Sequence, residues 1–277
     1  MQEHYSAYNS PSFWIPNAIL LLVLLLYLMA VVRQYQQGKS WSGWRTAGFC
    51  SGIALLILAL WPPLMHYGHQ NLEGHMIQHL LIGMLAPLGL VLAAPLTLVL
   101  RTLNPPTGRR LTAVLGSRPF HYVSHPLTAL LLNIGGMYLL YLTPLYGAIQ
   151  HHPYLHWVLH LHFLLAGYLF VWAIAGPDPA PRRPGLQLRS IVLFISAGAH
   201  AYLSKAMYAY EFPRNTHHSL EEIQAAAKLM YYGGDLAELL LAVAFFYTWY
   251  KAKERRSKTI QTAGVSVPQI FTGYTAK

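Results

Sequence analysis

Seven apolar stretches, each close to the length of a bilayer-crossing helix, limit this chain to a helical bundle folded in lipid. A hydrocarbon core about 30 Å thick takes about 20 residues of helix. Apolar runs of that order lie at approximately 13–32, 44–64, 75–100, 126–142, 153–175, 188–208 and 231–250. Of 277 residues, 55% are hydrophobic and 10% charged, against about 25% charged in a soluble domain. The chain therefore reads as all-α, a polytopic membrane protein with one seven-helix domain over residues 1–250. A basic tail, 251–277, follows; its start can meet anionic lipid and the remainder reads as disordered.

The basic residues give the expected bundle a direction. Sixteen of the 19 Lys and Arg fall between the first and second, third and fourth, and fifth and sixth runs, or in the tail. Lys205, Arg214 and Lys228 fall on the other side. Cytoplasmic loops hold the excess of Lys and Arg, so the N-terminus is expected outside and the C-terminus inside. The net charge of +10 is then a topology signal with membrane lipid as its partner; no nucleic-acid module is visible. Residues 1–11 hold Glu3 and no Lys or Arg, and Arg33 follows the first run. A cleaved signal would carry its positive charge ahead of the run, so the first helix is expected to be retained.

Histidines collect at the expected outer end. His75 and His79 open the third run, and His156 and His160 the fifth. Residues four apart on a helix share a face, about 6 Å apart along the axis, so each pair is a half-site within reach of one ion. His200 on the sixth run, and Asp235 and Glu238 where the seventh opens, complete the polar inventory at that depth. Imidazoles and carboxylates inside lipid are costly unless paired or coordinated. The candidate metal site is therefore His75, His79, His156, His160 and His200, with Asp235 as a ligand or as the carboxylate that orients a His. A hydrogen-bonded network of the same groups without metal is the alternative. His66, His69 and His152 add donors near the rim. His162 sits about 200° round the helix from His160 and should face another neighbour. His121 and His125 share the four-residue spacing on the basic side and receive no function, since spacing by itself is a weak signal.

Other local features carry structural expectations. Trp61-Pro62-Pro63 should end the second span and leave a short outer loop holding Met65, His66 and His69. Pro87 and Pro95 should bend the third span, as prolines within membrane helices do. Gly135-Gly136 should allow close helix packing. Ser219 and Glu222 form a capping-box pattern, expected to start a surface helix that leads into the seventh span. Cys50, alone in the chain, cannot form a disulfide and is read as a packing residue.

Imidazole-rich sites suit Cu, Zn, Fe or Ni, and Met65, Met76 and Met207 nearby favour copper, since thioethers suit Cu(I); zinc stays open. With no Cys near the site, a thiolate copper donor would be a separate extracytoplasmic protein. A haem held by axial histidines leaves most of the cluster unused, and no C-x-x-C-H sequence is present. A copper transporter needs polar or sulfur side chains through the inner halves, which read as apolar. A hydrolytic zinc site would call for an H-E-x-x-H arrangement that the chain lacks, and no catalytic residue is assigned.

The run from His75 through Gln78-His79 to Ala86-Pro87, the following Ala94-Pro95, the stretch from His156 to Gly167 and the Asp235-centred opening of the last span resemble the CtaG family of membrane-bound cytochrome c oxidase assembly factors. The resemblance covers approximately residues 13–250 and departs at Leu236, where members often carry Gln. It implies a bacterial plasma-membrane protein that helps mature a haem-copper oxidase by handling copper at the outer face. Its expected partners are an oxidase subunit and an extracytoplasmic copper donor.

Overall fold

The computed structural model describes residues 11–150, 152–214 and 216–262, and every regular element among them is helical. In chain order these are α1 Pro11–Gln36, α2 Gly43–Ala59, α3 Pro62–Gln70, α4 Leu72–Leu92, α5 Pro95–Thr102, α6 Pro105–Leu115, α7 Arg118–Val123, α8 Pro126–Leu142, α9 Leu145–Gln150, α10 Pro153–Ala175, α11 Leu186–Tyr210 and α12 Leu220–Thr262. Both α4 and α8 widen into one π-helical turn, at Leu81–Leu85 and Leu131–Gly135.

Five helices are long and apolar enough to cross a membrane, in α1, α4, α10, α11 and α12, and α2 with α3 makes a sixth if the bent pair is one span. The fourth expected span is α8, a shorter apolar helix of Pro126–Leu142. Five to six spans thus stand where seven were expected. At about 1.5 Å per residue α8 falls at the lower limit for a hydrocarbon core. The first helix is the outermost: only 17% of its apolar window is buried, and Ile19, Leu21, Leu22, Leu25 and Leu26 face outward.

Proline chemistry decides where the other spans start and stop. The expected loop after Trp61 is instead α3, bent by 55° from α2. Pro62 and Pro63 lack the N–H that would continue α2, yet they suit the first turn of a new helix, where that donor has no intrahelical partner. Pro95 likewise does not bend the third span but begins α5. The residue before a proline is pushed out of the right-handed helical region, and Ala94 sits at φ 53°, ψ 54°. Pro87 does stay inside α4. The carbonyl it cannot bond belongs to Gly83, in the π turn, which abuts Gly167 of α10.

Side chains far apart in sequence pin the two ends of the bundle. At one end Asp178, buried in the α10–α11 connection, accepts from the amides of Leu96 (3.2 Å) and Thr97 (2.7 Å) and from the Thr97 hydroxyl (2.6 Å). These bonds satisfy donors that the start of α5 leaves open. Arg183 donates to the carbonyl oxygens of Gly176 and Asp178, which fixes the same connection. At the other end Ser219 caps α12 through the Glu222 amide at 3.2 Å, as the capping-box pattern anticipates. The Glu222 carboxylate does not return to Ser219; it reaches the Leu72 amide at 2.5 Å. No separate surface helix precedes the last span, because α12 is continuous from Leu220, and it runs past residue 250 to Thr262. Residues 263–277 of the expected tail lie outside the described residues.

Candidate metal centre

Three helices bring the five histidines together. The first turns of α4 carry His75 and His79, the first turns of α10 carry His156 and His160, and the middle of α11 carries His200. All are buried, none more than 5% exposed. The rings of His156 and His160 meet at 4.3 Å between centroids, and His156 lies 5.9 Å from His75 and 4.0 Å from His69 of α3. Deeper in the bundle His79 faces His200 at 6.4 Å with a 19° interplanar angle. Tyr141 of α8 stands between the two levels, its ring 6.2 Å from His75 and 6.3 Å from His79. The arrangement is a column of imidazoles running inward from the end where α3, α9 and the start of α12 meet.

Each ring is held by shape. Phe163 packs edge-on against His79 at 4.6 Å, and Tyr146 against His75 at 5.1 Å. Gly234 of α12 abuts the His200 imidazole, where a Cβ would collide with ring atoms. Gln78, turned away from the histidines, donates to the Ala59 carbonyl oxygen (2.9 Å) and the Met65 sulfur (3.0 Å), tying α4 to the α2–α3 bend.

A polar network covers the mouth of the column. Gln150 donates to the Tyr146 hydroxyl (3.2 Å) and to Nε2 of His218 (3.0 Å), and the Tyr146 hydroxyl lies 3.2 Å from the same nitrogen. On the far side of its ring His218 meets Glu222 at 2.9 Å. Burial pushes the Tyr146 phenol well above its ordinary range, so it stays a donor to Nε2, which leaves Nδ1–H for Glu222.

The ring nitrogens of the column are unsatisfied. Both nitrogens of His79, His160 and His200, Nε2 of His75 and Nδ1 of His156 are buried without a hydrogen-bond partner, as is the Tyr141 hydroxyl. Each such group costs about 1–3 kcal/mol when left unpaired, so the donor set fits a ligand that accepts imidazole lone pairs. Among the described residues no three His, Cys, Asp or Glu side chains are arranged to hold one ion as they stand. The ring centroids of His75 and His156 are 5.9 Å apart and those of His79 and His200 6.4 Å.

Not every expected residue joins the column. Asp235 is exposed on α12, whereas Glu238, three residues on, is buried. His162 faces away from the column and bonds the Leu132 carbonyl oxygen at 3.1 Å, the separate neighbour that its helical angle requires. His152 precedes α10 and is exposed. His121 and His125 sit at the opposite end, 6.0 Å apart, with His125 capping α8. Tyr141, Tyr146, Gln78 and Gly234 were not picked out from the sequence as parts of this site. Among these, Gln78 stood in the sequence within the His75–Pro87 run, without a role of its own.

The chain matches the family described as cytochrome c oxidase caa3 assembly factor (Caa3_CtaG) over residues 25–252. It is 36% identical over 179 residues to an uncharacterized protein of Mycobacterium bovis, covering 62% of this chain and 27% of that protein. An uncharacterized protein of Mycobacterium leprae is 33% identical over 188 residues, 65% of this chain and 28% of the relative. The chain thus spans little more than a quarter of the length of these relatives. No solved structure matches it.

Proposed function

Since the chain belongs to the family of cytochrome c oxidase caa3 assembly factors, we propose that it is a membrane copper carrier that loads a haem-copper oxidase during its assembly. Copper is the cargo, with zinc as the competing ion. The observation that carries this reading is the set of buried imidazole nitrogens without partners on α4, α10 and α11. In this reading α8 counts as a seventh span. The histidine end faces the extracytoplasmic side of a bacterial plasma membrane and the basic end faces the cytoplasm, a reading supported by the Lys and Arg distribution.

A separate donor protein delivers the ion at the mouth formed by α3 and α9. The column holds it away from water, and the oxidase subunit beside it in the membrane receives it. Nitrogen and thioether donors suit Cu(I), and Met76 and Met207 are fully buried in the same apolar cluster that surrounds the histidines. Paired donors without a full coordination shell favour release over retention. The second apolar cluster, with Val91, Phe170, Val192, Leu241 and Phe245, closes the basic end. That closure favours loading and unloading from one side over transport across the membrane.

The test is metal analysis of purified protein, comparing wild type with the His79→Ala, His160→Ala double variant. Copper in the wild type and its loss from the variant is the expected result. Equal and negligible copper in both overturns the reading.

A further inference from the structure

One turn inward from the deep histidine pair lies a small, mostly apolar pocket that the copper column does not use, with three polar side chains in its wall. Its wall includes Met84 of α4, Asn133 of α8, Gly167 of α10, Ser196 of α11 and Glu238 of α12. Three helices step into it directly: Gly83 and Met84 follow His79, Ser196 precedes His200, and Glu238 follows Gly234, each by about a turn. Asn133, Ser196 and Glu238 are all more than nine-tenths buried. One carboxylate oxygen of Glu238 is buried without a hydrogen-bond partner. Leu241 in the same wall, with Phe245 on α12 and Val192 on α11, belongs to the apolar cluster that closes the bundle toward the basic end.

Among the described residues Glu238 is the acid in the wall of this pocket. Asp178, also buried, is committed to the α5 amides at the basic end. Asp235 is exposed. Glu222 is engaged with Leu72 and His218 at the mouth. An ion bound by neutral imidazoles keeps its whole charge, and a net charge in a low-dielectric interior carries a large desolvation cost unless an opposite charge lies close by. One carboxylate balances one positive charge.

Resting on the copper reading above, we propose that Glu238 is the counter-charge of the His79–His200 pair and sets the site to a monovalent cation. A loaded pocket holding a monovalent ion is neutral, and one holding a divalent ion carries an uncompensated positive charge within the membrane. The small number of ligands points the same way: among the described residues no third His, Cys, Asp or Glu completes a site with the pair, and few ligands suit a closed-shell monovalent ion better than Zn(II), which takes four. Asn133 and Ser196 line the same pocket with an amide and a hydroxyl, which add polarity beside the carboxylate without adding charge. Glu238 acts here as a positioning and selectivity residue and not as a ligand.

The experiment measures Ag(I), a redox-inert monovalent probe, and Zn(II) binding to the detergent-purified full chain by equilibrium dialysis. Wild type, Glu238→Gln, Glu238→Asp and Asn133→Asp are compared, each with its thermal midpoint. Glu238→Gln should weaken Ag(I) binding by about tenfold or more, while Glu238→Asp keeps it. Asn133→Asp, nearly isosteric, adds a second negative charge to the cavity and should shift the Zn(II)-to-Ag(I) affinity ratio toward zinc by about tenfold. Wild-type Ag(I) affinity in Glu238→Gln together with an unchanged ratio in Asn133→Asp overturns the inference and leaves the copper reading intact. A wild type that binds neither ion brings down the copper reading, and this inference falls with it. If Glu238→Gln does not fold, the ratio in Asn133→Asp decides alone.

Discussion

Glu222 of α12 accepts a 2.5 Å hydrogen bond from the backbone amide of Leu72, the first residue of α4. A carboxylate that would ordinarily close its own helix start caps a neighbouring helix that begins 150 residues earlier in the chain. Helix α4 carries His75 and His79, so this bond sets the register of the column against α12, where Gly234 and Glu238 sit. Glu222→Ala should cost about 1–2 kcal/mol, the range for removing a cap. Glu222→Gln should cost less, since an amide oxygen still accepts from Leu72. Thermal unfolding in detergent checks the order, and an alanine variant as stable as wild type would remove the cross-cap from the account.

Gly234 and Gly198 make a matched pair of tests on facing helices. A methyl group at 234 runs into the His200 ring, whereas one at 198 meets nothing within 4 Å. Gly234→Ala should therefore push His200 off His79 and destabilise by about 1–3 kcal/mol, the usual cost of overpacking. Gly198→Ala should be neutral or slightly stabilising, because alanine favours helix over glycine. Under the copper reading metal content should follow the same split, lost in the first variant and kept in the second.

The helical class, the burial of the five histidines and the exclusion of His162 could be read from the sequence because each follows from a periodicity. Apolar length marks a span, and an interval of four marks a shared face. The second and fourth expected spans depart from the length pattern, since Pro62 and Pro63 bend one helix pair and α8 is short. Reading Asp235 into the site and leaving Glu238 without a role came from the same limit. The two lie within one turn of each other, and whichever faces inward depends on how α12 rotates against α11, a tertiary choice. The Gly234 contact with His200 fixes that rotation, and nothing in α12 alone states it. Asp178 was missed for a related reason: its partners, Leu96 and Thr97, exist as open donors only because the chain breaks at Ala94.

That break supplies the third prediction. Asp178 satisfies two amides and a hydroxyl at the start of α5 from a buried position. Asp178→Ala leaves all three donors without an acceptor, at about 1–3 kcal/mol for each buried unpaired group. The loss should appear as faster proteolysis of residues 95–125 in membranes, with the histidine end unchanged. Asp178→Asn keeps one acceptor oxygen and should fall between alanine and wild type. If the alanine variant resists protease as wild type does, Asp178 does not hold the α5 start.

His162 separates a structural histidine from the metal candidates within a single helix. The π turn of α8 at Leu131–Gly135 loosens the regular ladder, and a ring nitrogen of His162 lies 3.1 Å from the Leu132 carbonyl oxygen. Gly136 leaves room for the ring, since a Cβ there would strike it. In the lipid setting of a spanning helix no water can replace a lost donor. His162→Ala should therefore lower stability by about 1–2 kcal/mol and leave copper content at the wild-type level. His160→Ala, two residues away, should do the reverse under the copper reading. It removes unpartnered ring nitrogens, so stability changes little beyond the lost packing while copper falls. Copper analysis and thermal unfolding on the same two preparations resolve the contrast. If His162→Ala also empties the protein of copper, the division of α10 into a metal face and a packing face is wrong.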